Sequence, residues 1–257
     1  MARFLITGSS DGIGLATAKV LAGKGHSVVL HARNNARAES TRKAVPQAEA
    51  ILIADLRSVA ETKQLAQEAN KLGNGTFDAI IHNAGIGYGP TSSREITADK
   101  ISAVFAVNTL APYILTCLMK KPTSRLLYMS SDSHYGGDES LRNATQSHSY
   151  SDSKLHDVML ANAFARRWGG DIQVVSMHPG WVRTKMGGSM ASSGLEETGD
   201  AIADWAMGVG NLADLPSGSF LTIAGARSTH PGAGKVEKQE ELLNLCREVS
   251  GVAIPGE

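Results

Sequence analysis

A tyrosine and a lysine in this chain are spaced so that they could share proton chemistry. Tyr150 and Lys154 lie four residues apart in a helical segment, so their side chains are expected to meet on one face. A phenol titrates near pH ~10, and lowering its pKa to about 7 requires roughly 4 kcal/mol of preferential stabilisation of the phenolate. A neighbouring ammonium in a partly dry site can supply much of that energy. The pair predicts a general acid/base, although the same spacing occurs by chance in many helices.

Polar residues elsewhere in the chain could assist a tyrosine that acts as a general acid/base. Ser130 and Ser131 end a predicted strand, and we expect Ser131 to donate a hydrogen bond to a substrate carbonyl; otherwise both are ordinary capping residues. Asn108 lies inside a helical run, and Pro112 follows four residues later. Because proline cannot donate to the carbonyl of residue i−4, the Asn108 carbonyl is predicted to be free in a kinked helix. It would then hold a water that extends a proton path from Lys154 to solvent.

A glycine-rich segment follows the first predicted strand and opens a helix. Glycines let the backbone approach a pyrophosphate closely, and a helix N-terminus offers N–H groups and the positive end of a dipole. The spacing is G-x-x-x-G-x-G, which differs from the commoner G-x-G-x-x-G, and by itself it could be only a capped turn. The predicted phosphate-binding residues are Gly8, Ser9, Ser10, Asp11, Gly12, Ile13 and Gly14.

The end of the second predicted strand indicates which dinucleotide binds. An acid there would accept a hydrogen bond from a free ribose 2′-OH, whereas an arginine accommodates a 2′-phosphate. Arg33 and Asn34 stand at this point, and no acid appears until Glu39. A lone arginine is often an ordinary surface residue, but together with the glycine loop it predicts NADP(H) rather than NAD(H).

Later strand ends complete the predicted cofactor site, although each of them could be only a turn. An aspartate after the third strand could bind the adenine amino group, small residues follow the fourth, and a Pro-Gly turn follows the sixth. These cofactor-binding residues are Asp55, Leu56, Asn83, Ala84, Gly85, Pro179, Gly180, Val182 and Thr184, with Tyr150 and Lys154 shared with the catalytic set. Thr184 is expected to bond the nicotinamide carboxamide. Residues 185–200 are predicted to form a substrate lid, with a plain flexible loop as the alternative.

Short apolar runs alternate with longer helical stretches along the whole chain. Strands are predicted at residues 3–6, 27–31, 50–54, 78–82, 125–130, 172–177 and 219–223. Helices are predicted at 12–22, 59–71, 99–120, 150–168 and 236–249. This alternation predicts an α/β, doubly wound Rossmann fold: a parallel sheet of about seven strands with helices on both faces. No linker breaks the chain, so we expect a single domain over 1–257, with a cofactor half of about 1–120 and a catalytic and substrate half of about 121–257.

Composition excludes several classes of protein. The 257 residues carry 25 Lys plus Arg and 25 Asp plus Glu, a balance that argues against a nucleic-acid binder or a membrane-surface protein. Two cysteines cannot form a disulfide framework or a four-cysteine zinc site, and no metal site is predicted. No apolar stretch has the length of a membrane span, and Thr7 and Gly8 come too early for a signal-peptide core. A cytoplasmic location is expected.

Together these motifs resemble the short-chain dehydrogenase/reductase family, in its shorter branch, over nearly the whole chain. The resemblance rests on Thr7-Gly8-x-x-x-Gly12-Ile13-Gly14, Asn83-Ala84-Gly85, Asn108, Ser131, Tyr150-x-x-x-Lys154 and Pro179-Gly180, in the family's order. It implies that Tyr150 is the general acid/base, that Lys154 lowers its pKa and binds the nicotinamide ribose, that Ser131 orients the carbonyl, and that Asn108 supports a proton relay.

The resemblance also carries expectations about assembly and substrate. It implies a homodimer or homotetramer that pairs on the helices at 99–120 and 150–168. The interval between Ser131 and Tyr150 is longer than usual, similar to that of retinol-dehydrogenase-like and carbonyl-reductase-like members. Residues 132–149 are therefore expected to border the substrate pocket, and the substrate class cannot be carried over.

The leading interpretation is an NADP(H)-dependent carbonyl reductase or alcohol dehydrogenase that acts on a small carbonyl or alcohol. One alternative is an epimerase or dehydratase on the same fold that keeps its cofactor bound. Another is a non-catalytic NADP(H)-sensing protein, which would have no need of Ser131, Tyr150 and Lys154 together.

Overall fold

One eight-stranded sheet organises the chain in the computed structural model, which describes residues 1–87 and 95–256. Residues 88–94 and 257 of the predicted domain lie outside this description. The sheet order is β3-β2-β1-β4-β5-β6-β7-β8. The strands are β1 (Arg3–Ile6), β2 (Ser27–Ala32), β3 (Ala50–Ile53), β4 (Ala79–His82), β5 (Arg125–Met129), β6 (Gln173–His178), β7 (Phe220–Thr222) and β8 (Gly225–Arg227). The first seven pair in parallel, and β8 pairs antiparallel with β7, so the prediction of about seven strands missed this short edge strand.

Eight α-helices accompany the sheet in the described part of the chain. They are α1 (Gly12–Gly23), α2 (Asn35–Ala44), α3 (Val59–Lys71), α4 (Ala103–Phe105), α5 (Ala111–Leu118), α6 (Tyr150–Trp168), α7 (Leu195–Met207) and α8 (Val236–Ser250). A π-helical turn, Ala106–Leu110, joins α4 to α5. The predicted helix at 99–120 therefore begins at Ala103, ends at Leu118 and is not a regular α-helix throughout.

The sheet is covered on both faces, which confirms the doubly wound architecture. Along β1, Leu5 belongs to the core that includes α3, α5, α6 and α8, whereas Phe4 and Ile6 belong to the core that includes α1 and α7. Side chains alternate between the two faces of a strand, so a parallel strand buried on both sides reads as a continuous apolar run. That run is why the strands could be located from the sequence.

Two helices were not predicted. In α2 only Thr41 is buried, so the helix has no apolar stripe that a sequence pattern could reveal. Helix α7 begins after Gly194, and no side chain caps its N-terminus. Gly199 of this helix packs so closely on α1 that a Cβ there would lie 2.9 Å from the Ala16 Cβ. The predicted lid at 185–200 was too long, because residues from Leu195 onward form this packed helix.

Helix α8 covers the surface on which two copies of the chain were expected to pair. Leu242, Leu243 and Cys246 of α8 are fully buried in the core that contains α5 and α6. The Tyr113 hydroxyl of α5 donates a 2.8 Å hydrogen bond to the carbonyl of Val252, just after α8. Most residues of α5 and α6 are therefore buried within the chain itself. Within the described residues, no helix is both long and apolar enough to cross a membrane.

Candidate active site

A cleft of about 780 Å³ opens at the carboxyl ends of the parallel strands, where ligands bind in sheets of this type. Four of the predicted site residues, Ser9, Gly14, Asn34 and Asn108, do not line it. The predicted residues that do line it are Gly8, Ser10, Asp11, Gly12, Ile13, Arg33, Asp55, Leu56, Asn83, Ala84, Gly85, Ser131, Tyr150, Lys154, Pro179, Gly180, Val182 and Thr184. The fold therefore brings the glycine loop and the Tyr–Lys pair to one cavity.

The glycine loop packs against the end of β4 without room for side chains. Gly8 has a φ of +62°, and a Cβ there would lie 2.7 Å from the Cα of Ala84. A Cβ on Gly14 would lie 2.4 Å from Nδ2 of Asn83, so Gly14 serves close packing of α1 rather than the cleft wall. Nδ2 of Asn83 in turn donates to the carbonyls of Thr7 and Gly8 at 2.9 and 3.1 Å. The loop is thereby held in one conformation by the neighbouring strand end.

Ser9 and Asn34 hold backbone instead of facing the cleft. Ser9 is fully buried; its hydroxyl donates to the Ile6 carbonyl at 2.9 Å and accepts from the His31 N–H at 2.8 Å. Asn34 is the N-cap of α2, where its Oδ1 accepts from the Arg37 N–H at 3.0 Å. Both were predicted to bind cofactor directly; in the structure both side chains bind the backbone of segments next to the cleft.

His31, near the end of β2, was not predicted as a site residue although it lines the cleft. The Gly8 N–H donates to its Nδ1 at 2.9 Å, and its Nε2 lies 2.9 Å from the Ala54 carbonyl. Burial lowers the pKa of His31, so the ring is neutral, with Nε2 as the donor and Nδ1 as the acceptor. The ring thus ties the glycine loop to the ends of β2 and β3.

The end of the cleft formed by β2 and β3 is rich in arginine. Arg33 is exposed there, and Arg37 lies one helical turn further on, with Nη1 3.3 Å from Oδ2 of Asp11. Arg57 binds Asp55 through two nitrogens, with Nη2 2.6 Å from Oδ2. Burial works against ionisation of Asp55, but the Arg57 guanidinium outweighs it and lowers the pKa of that carboxyl. Arg37 and Arg57 were not predicted as site residues because neither stands directly at a strand end.

Tyr150 is the first residue of α6, and a capping box sets that start. Ser149 Oγ accepts from the Asp152 N–H and Asp152 Oδ2 accepts from the Ser149 N–H, each at 3.0 Å. One turn later, Nζ of Lys154 lies 5.5 Å from the centroid of the Tyr150 ring. The predicted pair therefore shares one helix face at the cleft.

The Lys154 ammonium is buried and has two acceptors. Nζ donates to the Met129 carbonyl at 2.7 Å and to Oδ2 of Asp157 at 2.8 Å. Asp157, which was not predicted, does not line the cleft. Burial works against a charge on Lys154, but Asp157 and Tyr150 outweigh it and raise its pKa.

The two serines after β5 make different hydrogen bonds. Ser130 is buried, and its hydroxyl donates to the Lys154 carbonyl at 2.7 Å. Ser131 lines the cleft and caps the short 3-10 helix Asp132–Gly136, accepting from the Ser133 N–H at 3.2 Å. Both serines line the cleft, and the role of Ser131 in binding a substrate stays a prediction.

Asn108 lies behind the cleft wall. Its side-chain amide binds both the N–H and the carbonyl of Ile86. Nδ2 also donates to Ser153 Oγ at 3.0 Å. Its position in the π-helical turn, next to Pro112, agrees with an interrupted helix. The water on its carbonyl stays a prediction.

The part of the cleft beyond Ser131 has mixed polar and apolar walls. Of the 132–149 insertion only Asp132 and Ser133 line it, because the segment then turns back towards α6, where Gly137 packs on Leu155. Trp181, 55% exposed, and Met186 face the same space. Across the described residues, no group of three or more His, Cys, Asp or Glu side chains could hold a metal ion.

Comparisons with known proteins agree with this geometry. The family model for short chain dehydrogenases matches residues 2–193. An uncharacterized oxidoreductase of Emericella nidulans is 72% identical over 256 residues, which cover 100% of both chains. The short-chain dehydrogenase chyC of Penicillium rubens is 39% identical over 265 residues, covering 99% of this chain and 100% of its own. The NADPH-bound carbonyl reductase from chicken fatty liver is 25% identical with a TM-score of 0.71, over 89% of this chain and 99% of its own.

Proposed function

The chain belongs to the short-chain dehydrogenase/reductase family of oxidoreductases, and on that premise we propose that it is an NADP(H)-dependent carbonyl reductase or alcohol dehydrogenase. Hydride would pass between the nicotinamide and a small carbonyl or secondary alcohol, with Tyr150 as the general acid/base. The observation that carries the proposal is that one cleft joins the glycine loop to Ser131, Tyr150 and Lys154.

The residues of the cleft fit a nicotinamide dinucleotide. Gly12 has a φ of +54° at the N-terminus of α1, where a helix favours a phosphate, and a Cβ there would reach Cγ2 of Thr184 at 3.4 Å. The exposed guanidinium of Arg33, with no acid at the end of β2, supports a 2′-phosphate and therefore NADP(H).

In carbonyl reduction, NADPH supplies the hydride. Ser131 donates a hydrogen bond to the carbonyl oxygen and Tyr150 gives it a proton. The Lys154 ammonium, held close to the Tyr150 ring, stabilises the phenolate that remains. Proton transfer in the opposite direction serves alcohol oxidation with the same three side chains.

The burial of α5 and α6 under α8 supports a monomer rather than the homodimer or homotetramer implied by the resemblance. The cytoplasmic location stays a prediction.

A carbonyl screen tests the proposed function. Purified protein is mixed with NADPH and with a panel of apolar and aromatic aldehydes and ketones, and the loss of the reduced nicotinamide absorbance is followed. We expect turnover with NADPH for at least one ketone or aldehyde. Tight binding of NADPH with no turnover would favour the sensing protein, and isolation with a nucleotide that does not exchange would favour the epimerase or dehydratase.

A further inference from the structure

A buried aspartate stands behind the lysine of the proposed catalytic pair. The side chains of Lys154 and Asp157 are only 5% and 3% exposed, and Nζ and Oδ2 are 2.8 Å apart. Aspartate is almost never fully buried without a partner, because removal of its charge from water is costly. Its position three residues after Lys154 puts both side chains on neighbouring parts of the α6 surface.

The surroundings of Asp157 leave Lys154 as its counter-charge. Tyr128 of β5 is a neighbouring titratable side chain that Asp157 affects, and its hydroxyl is already bound to Thr116 at 2.7 Å. Burial raises the pKa of Asp157 to about 7, and the Lys154 ammonium works in the opposite direction. The carboxylate and the ammonium therefore depend on each other for their charges.

A lysine in this position needs such a partner in order to act on Tyr150. Burial without an opposite charge drives an ammonium to release its proton, which would remove its effect on a nearby phenolate. The Met129 carbonyl at 2.7 Å supplies a partial charge only, whereas the ionised carboxylate of Asp157 supplies a full one. Both acceptors also fix Nζ at 5.5 Å from the Tyr150 ring.

We propose that Asp157 is a positioning residue of the active site: its carboxylate keeps the Lys154 ammonium charged and in place beside Tyr150. It does so without lining the cleft, so it touches neither cofactor nor substrate. The inference rests on the proposed function for its effect on turnover, while the charge and position of Lys154 can be measured independently.

The test compares Asp157→Asn, which keeps the shape of the side chain and removes its charge, with the wild-type protein. The Lys154 side chain is followed by NMR titration in protein with isotope-labelled lysine and assigned by its loss in Lys154→Met. We expect its pKa to fall by at least about one unit in Asp157→Asn. We also expect kcat for carbonyl reduction to fall about tenfold or more, with a much smaller change in the Kd for NADPH.

Two further variants separate this role from a merely structural one. Asn162→Ala removes another polar side chain of α6, one that binds the Ala233 carbonyl at 3.0 Å, and should change neither the Lys154 pKa nor kcat. If Asp157→Asn does not fold, Asp157→Leu, which suits an apolar core, provides the same measurements. An unchanged Lys154 pKa, or an unchanged kcat in folded variant protein, would overturn the proposal. Absence of turnover in the wild-type protein would instead count against the proposed function, and the NMR titration would still decide the charge of Lys154.

Discussion

The side-chain amide of Asn108 binds both polar groups of the Ile86 backbone. Oδ1 accepts from the Ile86 N–H and Nδ2 donates to the Ile86 carbonyl, each at 2.9 Å. Ile86 follows the Asn83-Ala84-Gly85 segment and lines the cleft. The two hydrogen bonds from Asn108, which we call the Asn108 clamp, therefore hold the backbone of the cleft wall in place. Asn108 thus has a structural role here that the proton-relay interpretation did not include.

This clamp predicts the effect of Asn108→Ala. Two backbone groups lose their partners in a half-buried segment, which should cost about 2 kcal/mol of unfolding free energy and lower kcat as well. Urea denaturation and steady-state kinetics measure the two effects. Asn70→Ala is the matched control, because Asn70 also makes two backbone bonds, to Leu118 and Lys120, away from the cleft. It should lose stability and keep kcat; an equal loss of kcat in both variants would contradict the clamp.

Tyr150→Phe should abolish turnover and leave cofactor binding largely intact. Loss of the phenol removes the proton donor, a contribution of about 10²- to 10⁴-fold in kcat. The control is Tyr135→Phe, which removes a hydroxyl bound to the Ser228 carbonyl at 2.6 Å outside the cleft. Turnover is measured with NADPH and the best ketone of the screen. Loss of NADPH binding together with turnover would assign Tyr150 a structural role instead.

Gly8→Ala should abolish NADPH binding, because a Cβ would lie 2.7 Å from the Ala84 backbone and push the loop out of place. Gly25→Ala controls for backbone strain alone: its φ is +81°, and a Cβ there meets no atom within 4 Å. That strain should cost about 1 kcal/mol and leave binding unchanged. Calorimetric binding and thermal unfolding of both variants are the measurements, and retained binding in Gly8→Ala would show that the loop can move aside.

The burial of His148 predicts a loss of folding stability in acid. Burial lowers its pKa to about 4, so the unfolded chain binds this proton at a higher pH than the folded one. Stability should therefore fall as the pH drops from about 6.5 to about 4, by up to about 3 kcal/mol from this side chain. Thermal unfolding across this range should show a shallower loss in His148→Gln than in the wild type.

The burial of α5 and α6 predicts that the chain is a monomer in solution. Light scattering coupled to size exclusion should give a mass near 27.0 kDa. A dimer mass would show that a surface other than these two helices pairs, or that α8 is displaced.

The parts of the fold that could be predicted from the sequence are those with a local signal. The seven parallel strands read as apolar runs because both faces of the sheet are covered, and the chemistry-bearing residues were sought where those strands end. Helix α2 was missed because its surface is almost wholly polar. The predicted lid overlaps the start of α7, whose apolar face was a local signal that the prediction missed: Ile202, Ala203, Trp205 and Ala206 are buried in the core that includes α1.

The site residues that could be predicted are likewise those with a local signal in the sequence. Tyr150 and Lys154 were found because helix geometry relates positions four residues apart. The contacts of His31 with Gly8, and of Arg57 with Glu95, depend on which strand ends and loops lie next to each other, which a single sequence does not show. Asp157 appeared in the sequence as one more polar residue of a helix, and only its burial beside Lys154 distinguishes it.

The central claim, that the cleft binds NADP(H) for hydride transfer, is tested most directly by parallel calorimetric titrations with NADPH and with NADH. We expect clearly tighter binding of NADPH, and loss of that preference in Arg33→Ala. Preference for NADH would contradict the role of Arg33 but leave an oxidoreductase of the same mechanism. Binding of neither nucleotide, by folded protein isolated without a nucleotide, would contradict the claim itself.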